Sequence, residues 1–159
     1  MAEHHASVTW RRGDAAFVDN KYSRAHEWRF DGGATVLGSS SPHNVRVPYS
    51  DPAGVDPEEA FVASVASCHM LWFLGIAASK RVLVDSYEDD AVGVLEADAA
   101  GKMAITRVVL RPRVVLGGGS RLTDAEVMQI HHEAHEECFV ANSVRSEIVI
   151  EPRGPAGAG

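Results

Sequence analysis

The chain has 159 residues, a length that favours one domain, and its 45% hydrophobic and 23% charged composition is that of a globular protein with a sizeable core. A formal net charge of −7 argues against a nucleic-acid partner, which needs clustered Lys and Arg to neutralise phosphates. The opening MAEHHASVTW has no basic segment followed by an apolar run, and two cysteines are too few for a disulfide scaffold, so a cytoplasmic protein without a secretory signal is expected.

Residues 6–12 (ASVTWRR) alternate weakly and predict a strand. A polar connection leads to a second strand at 26–30 (HEWRF), closed by Asp31-Gly32-Gly33, and residues 34–40 carry a third. Residues 45–57 form a loop punctuated by Pro48, Pro52, Gly54 and Pro57. A helix over 57–80 is well signalled. Asp56 is placed to cap it, Pro57 suits its first position, Glu58 and Glu59 complement the positive end of its dipole, and Lys80 and Arg81 suit the other end. From Ala60 to Ser79 there is no Asp, Glu, Lys or Arg. Such a run is about long enough to cross a bilayer at ~1.5 Å rise per residue. Ser64, Ser67, Cys68, His69 and Ser79 make it polar for a lone span, so a buried core helix is expected and no membrane.

Residues 82–90, 91–98 and 102–116 carry the β-branched residues of strands, with Asp98–Gly101 as a hairpin turn and Pro112 marking an edge or bulge in the long third one. After a glycine-rich loop at 116–121, Thr123 and Glu126 form a capping box for a second helix over 124–138. Residues 143–152 alternate as a last strand, and the tail, 153–159, is expected to be disordered. This order predicts an α+β fold with a largely antiparallel sheet and a long buried central helix, in one domain over 1–152. One sheet cannot cover every face of an all-round apolar helix in so small a chain, and a second copy of the protein is the expected cover.

Several residue groups carry chemistry. His131, His135 and Cys138 fall at i, i+4 and i+7 on one helix face and are the residue types that hold zinc, with Cys68 or His69 to complete a set, although no HExxH or CxxC spacing is present. The run GGGSR before a capped helix lacks phosphate-loop spacing, and Ser64 and Ser67 lack the strained elbow of a nucleophilic serine. An unaided thiol at Cys68, about three turns into an apolar helix, would be inert. Reactivity needs a fixed cation, for which Arg11, Arg12, Arg24, Arg29 and Arg46 are all available upstream.

The strings DPEEAFVASVASCHM and HEECFVANSV, whose cysteines lie seventy residues apart, resemble the OsmC/Ohr family of peroxide-reducing proteins, and so does the order of elements over about residues 6–151. The segment SRAHEWRFDGG is similar to a less-studied OsmC-like branch. The resemblance implies an intertwined, cofactor-free homodimer that acts as a thiol peroxidase on organic hydroperoxides. It implies Cys68 as the peroxidatic cysteine, Cys138 as the resolving cysteine and Glu58 as the site glutamate. Arg24 is the matching arginine and Arg46 the alternative. A dithiol such as a lipoyl-bearing protein is the implied reductant, and no metal takes part. Glu58 and Cys68 are ten residues apart, roughly 15 Å along one helix, which predicts that a shared site draws them from different subunits. His69, directly after the first cysteine, and the histidine-rich second helix depart from the family's pattern. The alternative function is a metal- or hydrophobic-ligand-binding module built on the His131, His135 and Cys138 face.

Overall fold

In the computed structural model, which describes residues 1–154, the turn at Asp31–Gly33 forms as its composition dictates. Gly33 takes φ 87° and its N–H donates to the Phe30 carbonyl at 2.9 Å, a left-handed position that glycine occupies without a Cβ penalty. This doubles β2 (His26–Phe30) back onto β3 (Thr35–Gly38), and β1 (Ala6–Thr9) pairs antiparallel along the other side of β2. The first strand is shorter than the predicted 6–12. The Trp10 indole N–H donates to the Ser23 carbonyl at 2.8 Å, and its ring packs on Phe17 and Tyr22 at centroid distances of 5.8 and 5.4 Å. Those contacts draw the chain out of the sheet. Gly38 ends β3 where a Cβ would stand 2.5 Å from the His26 ring and 2.8 Å from the Trp28 indole nitrogen, so a larger residue would have to displace those rings. The sheet belongs to the first of two compact units, Met1–Ala60, and the remaining strands and the second helix to the second, Phe61–Gly159, while the long helix starts in the first and continues in the second.

Helix α1 (Pro57–Ser79) begins with a reciprocal cap. The Asp56 carboxylate accepts the Glu59 N–H at 2.7 Å, while the Glu59 carboxylate accepts the Asp56 N–H at 3.2 Å. Its other end closes as a Schellman turn. Val82 N–H donates to the Ala77 carbonyl at 2.9 Å and Arg81 N–H to the Ala78 carbonyl at 3.0 Å, with Arg81 itself left-handed at φ 60°. In α1 the buried residues are Val65, His69, Phe73 and Ala77, one stripe at every fourth residue. Ala63, Ser64, Ser67, Leu71, Gly75 and Ala78 on other faces are exposed in the single chain, which is the face a second copy was expected to cover. By length and composition alone α1 would also suffice to cross a membrane.

In the second unit, β4 (Val84–Asp89) pairs antiparallel with β7 (Pro112–Leu116). A separate sheet has the order β5 (Val92–Ala97), β6 (Met103–Leu110), β8 (Glu147–Ile150), with β6 antiparallel to β5 and parallel to β8. The predicted long strand 102–116 therefore divides at Arg111 and serves two sheets. There the Arg111 N–H leaves the ladder for the Asp89 carboxylate at 2.7 Å, and Pro112 has no N–H to offer. The Asp98–Gly101 hairpin turn forms, with Gly101 at φ 75° donating to the Asp98 carbonyl. Helix α2 (Asp124–Glu137) opens on the expected capping box of Thr123 and Glu126. The last strand is shorter than the predicted 143–152, because Ala141–Ser143 forms a 3₁₀ turn. The antiparallel-rich α+β architecture agrees with the sequence reading. The predicted tail, 153–159, lies outside the described residues from Pro155 onward.

Two apolar clusters fill this unit. Phe73 and Ala77 of α1 pack on Ile130 and Ala134 of α2, with Val84, Tyr87 and Val114 against them. Val65 packs on Val108 and Leu110 of β6, with Phe61, Ile148 and Ile150 alongside. The stretch of α1 between Val65 and Phe73, which carries Cys68, is thereby held at both ends.

Candidate active site

Cys68 sits half-buried on α1 and Cys138 fully buried at the C-cap of α2; both are free thiols. They are close enough that Cys68 affects the titration of Cys138. Cys138 is held by the turn that follows it. Its sulfur accepts the Ala141 N–H at 3.4 Å, its carbonyl accepts the Asn142 N–H at 2.9 Å, and the Asn142 side chain donates to the Glu136 carbonyl at 2.9 Å. The string Ala141-Asn142-Ser143 thus caps the helix and fixes the thiol together. Burial, followed by the neighbouring Cys68 side chain, pushes the Cys138 thiol up to about 11. Of the two thiols, Cys68 is therefore the more accessible to a reagent, and Cys138 is the buried, protonated one.

The other expected site residues lie in the first unit. Arg24 spends its guanidinium on its own loop. Nη1 donates to the Asn20 and Tyr22 carbonyls at 3.0 and 2.5 Å, Nη2 donates to the Asn20 side chain at 2.6 Å, and the group stacks 3.8 Å over the Tyr22 ring. Arg46 lies 5.9 Å over the Tyr49 ring. The Glu58 carboxylate accepts a hydrogen bond from Asn44 at 3.3 Å. Among the described residues no ion pair joins Glu58 to either arginine. The structure brings together the two cysteines, and it leaves the arginine and glutamate each bound within its own neighbourhood.

The serines of α1 are engaged within their own helix. Ser64, Ser67 and Ser79 donate to the Phe61, Ser64 and Ile76 carbonyls of their own helix. Nor does the His131, His135 and Cys138 face form the metal site weighed for it, since no three His, Cys, Asp or Glu among the described residues stand where they could share an ion. Instead His131 turns inward to His69, Nδ1 to Nε2 at 3.0 Å, with the rings stacked at 5.3 Å. Both imidazoles are buried, which lowers His69 to about 4 and His131 to about 3. The sequence marks each histidine as unusual in its helix but carries no sign that they meet, sixty-two residues apart.

Comparison with known proteins follows the same lines. A family profile described as OsmC-like protein matches residues 50–153. An OsmC-like protein of unknown function from Vibrio cholerae superposes with a TM-score of 0.94 at 58% identity, covering 96% of this chain and 100% of its own. At 11% identity, an OsmC-like protein from Mycoplasma pneumoniae shares the fold with a TM-score of 0.71 over 97% of this chain and 98% of its own. An organic hydroperoxide resistance protein of Bacillus subtilis does so at 20% identity, with a TM-score of 0.61 over 94% and 97%. No curated protein matches the sequence significantly.

Proposed function

From the premise that the chain belongs to the OsmC-like protein family, we propose that it is a thiol-dependent peroxidase reducing organic hydroperoxides to alcohols. The observation that supports this reading is that half-buried Cys68 and buried Cys138, both free thiols, are near enough for one to influence the other's titration. The Cys68 thiolate attacks the near oxygen of the hydroperoxide and the O–O bond breaks. The departing alkoxide takes a proton to leave as alcohol, and Cys68 becomes a sulfenic acid. The Cys138 thiol displaces hydroxide from that sulfur, so a Cys68–Cys138 disulfide and one water form. An external dithiol then reduces the disulfide by exchange and is itself oxidised.

In this reading Arg24, or Arg46 in its place, favours the Cys68 thiolate and the departing alkoxide, and Glu58 orients the guanidinium. The protein works as a homodimer in which a second copy supplies part of each site. Two features support that arrangement: the roughly 15 Å of helix between positions 58 and 68, and the exposed apolar face of α1, where Leu71 is 64% accessible. The polypeptide needs no cofactor, and the physiological reductant is a lipoyl-type dithiol.

The test is one equivalent of cumene hydroperoxide added to reduced protein, followed by intact mass and peptide mapping. The expected result is loss of two hydrogens, mapped to a Cys68–Cys138 bridge and formed faster than with hydrogen peroxide. An unchanged mass would overturn the reading. Loss of activity in Arg46→Lys but not in Arg24→Lys would reassign the arginine.

A further inference from the structure

Between β7, α2 and the segment at Pro152–Gly154 lies a pocket of about 470 Å³ whose walls include Val114, Leu116, Leu122, Val127, Met128 and His131. The lining is mainly apolar, as in sites for small ligands. Beside the charged Asp124 and Arg153, one lining residue is polar: His131, fully buried, with Nδ1 engaged by His69 and Nε2 without any partner. Because the two nitrogens lie on opposite sides of the ring, Nε2 faces away from His69. Met128, one helical turn earlier on the same face, is unbranched and flexible enough to move aside for a ligand.

The chemistry of that unpartnered nitrogen restricts what it can take. The His69–His131 pair shares one hydrogen bond, and the tautomer decides whether His131 Nε2 is left as a donor or as an acceptor. A hydroxyl group both donates and accepts, so it satisfies either state; a carboxylate or a ketone satisfies only the donor. The pocket is also poorly equipped for an anion. Arg153 at the rim is tied to Asp90 at 2.6 Å, and the Asp124 carboxylate stands on the same wall.

We propose that this pocket binds a small, uncharged, mainly apolar molecule carrying one hydroxyl group, an alcohol or a phenol, with the hydroxyl on His131 Nε2. The site is separate from the thiol pair, and His131 takes no part in the proposed peroxide cycle.

The probes are 4-ethylphenol and ethylbenzene, titrated into the full-length protein and followed by amide and histidine ring-nitrogen NMR. Without a partner for its hydroxyl the phenol would bind more weakly than the hydrocarbon, because the hydroxyl gives up water on entry. The expected result is saturable binding of 4-ethylphenol, roughly fivefold to tenfold tighter than ethylbenzene, with shifts at His131, Val127 and Val114. His131→Phe should reverse that order, and Met128→Trp, which fills the pocket, should abolish both. Tighter binding of ethylbenzene to the native protein, shifts mapping elsewhere, or no saturation would each overturn the proposal. The native-protein comparison stands even if His131→Phe does not fold.

Discussion

Acid should unfold this protein earlier than its carboxylates alone would require, because His69 and His131 are buried as neutral imidazoles. Burial lowers them to about 4 and about 3 from an ordinary 6.5. Repulsion from His135 adds to the first shift, and repulsion from His69 and His132 to the second. In the unfolded chain both rings bind a proton near pH 6.5, while in the folded chain they do not until well below pH 5. The unfolded state therefore holds more protons across that window, and stability falls as pH falls. Each histidine contributes about 1.4 kcal/mol per pH unit, so two of them give a loss of about 4 kcal/mol between pH 7 and pH 5. That is a large share of the ~5–15 kcal/mol typical of a domain. Urea unfolding at one protein concentration, at pH 7 and pH 5, measures it directly. The double variant His69→Phe/His131→Phe serves as the control. Asp89, which burial raises, works in the opposite direction but is present in both proteins and cancels. A drop below about 1 kcal/mol in the native protein, or an equal drop in the double variant, would refute the reasoning.

Other consequences are local. Arg81→Gly should stabilise the protein by about 1 kcal/mol in the same urea assay, since φ 60° suits glycine and strains arginine. Asp56→Ala should destabilise by about 1 kcal/mol through loss of the cap on Glu59 N–H, and Asp56→Asn by much less. Cys138→Ser should permit one round of hydroperoxide reduction and then stop, with Cys68 trapped as a sulfenic acid that dimedone labels; sustained turnover with a dithiol would count against a resolving role.

Helix starts were legible because they depend on short-range chemistry. Asp56-Pro57 and Thr123 with Glu126 place caps and donors within one turn, and both caps form as expected. Turns at Gly33 and Gly101 were legible for the same reason, a positive φ that glycine alone takes freely. Strand ends were not, because what stops a strand is a competing partner. Trp10 leaves β1 for the Ser23 carbonyl, and Arg111 leaves the ladder for Asp89, twenty-two residues away. No local pattern announces either. The parallel pairing of β8 with β6 is likewise a long-range choice, made by burial of Ile148 and Ile150 against Val65 and its neighbours.

The sequence by itself determined the α+β class, the two helices and the identity of the two thiols as the residues to watch. It did so through composition, periodicity and a specific pair of cysteine-bearing strings. Only the tertiary structure decided that Cys138 neighbours Cys68, that His131 of α2 turns to His69, and that Val65, His69, Phe73 and Ala77 are the residues of α1 buried most deeply. The physical reason is the same in each case. Which partner a side chain meets across sixty or seventy residues depends on how α1, α2 and the strands pack, and that packing is a property of the whole chain's apolar surface rather than of any window within it.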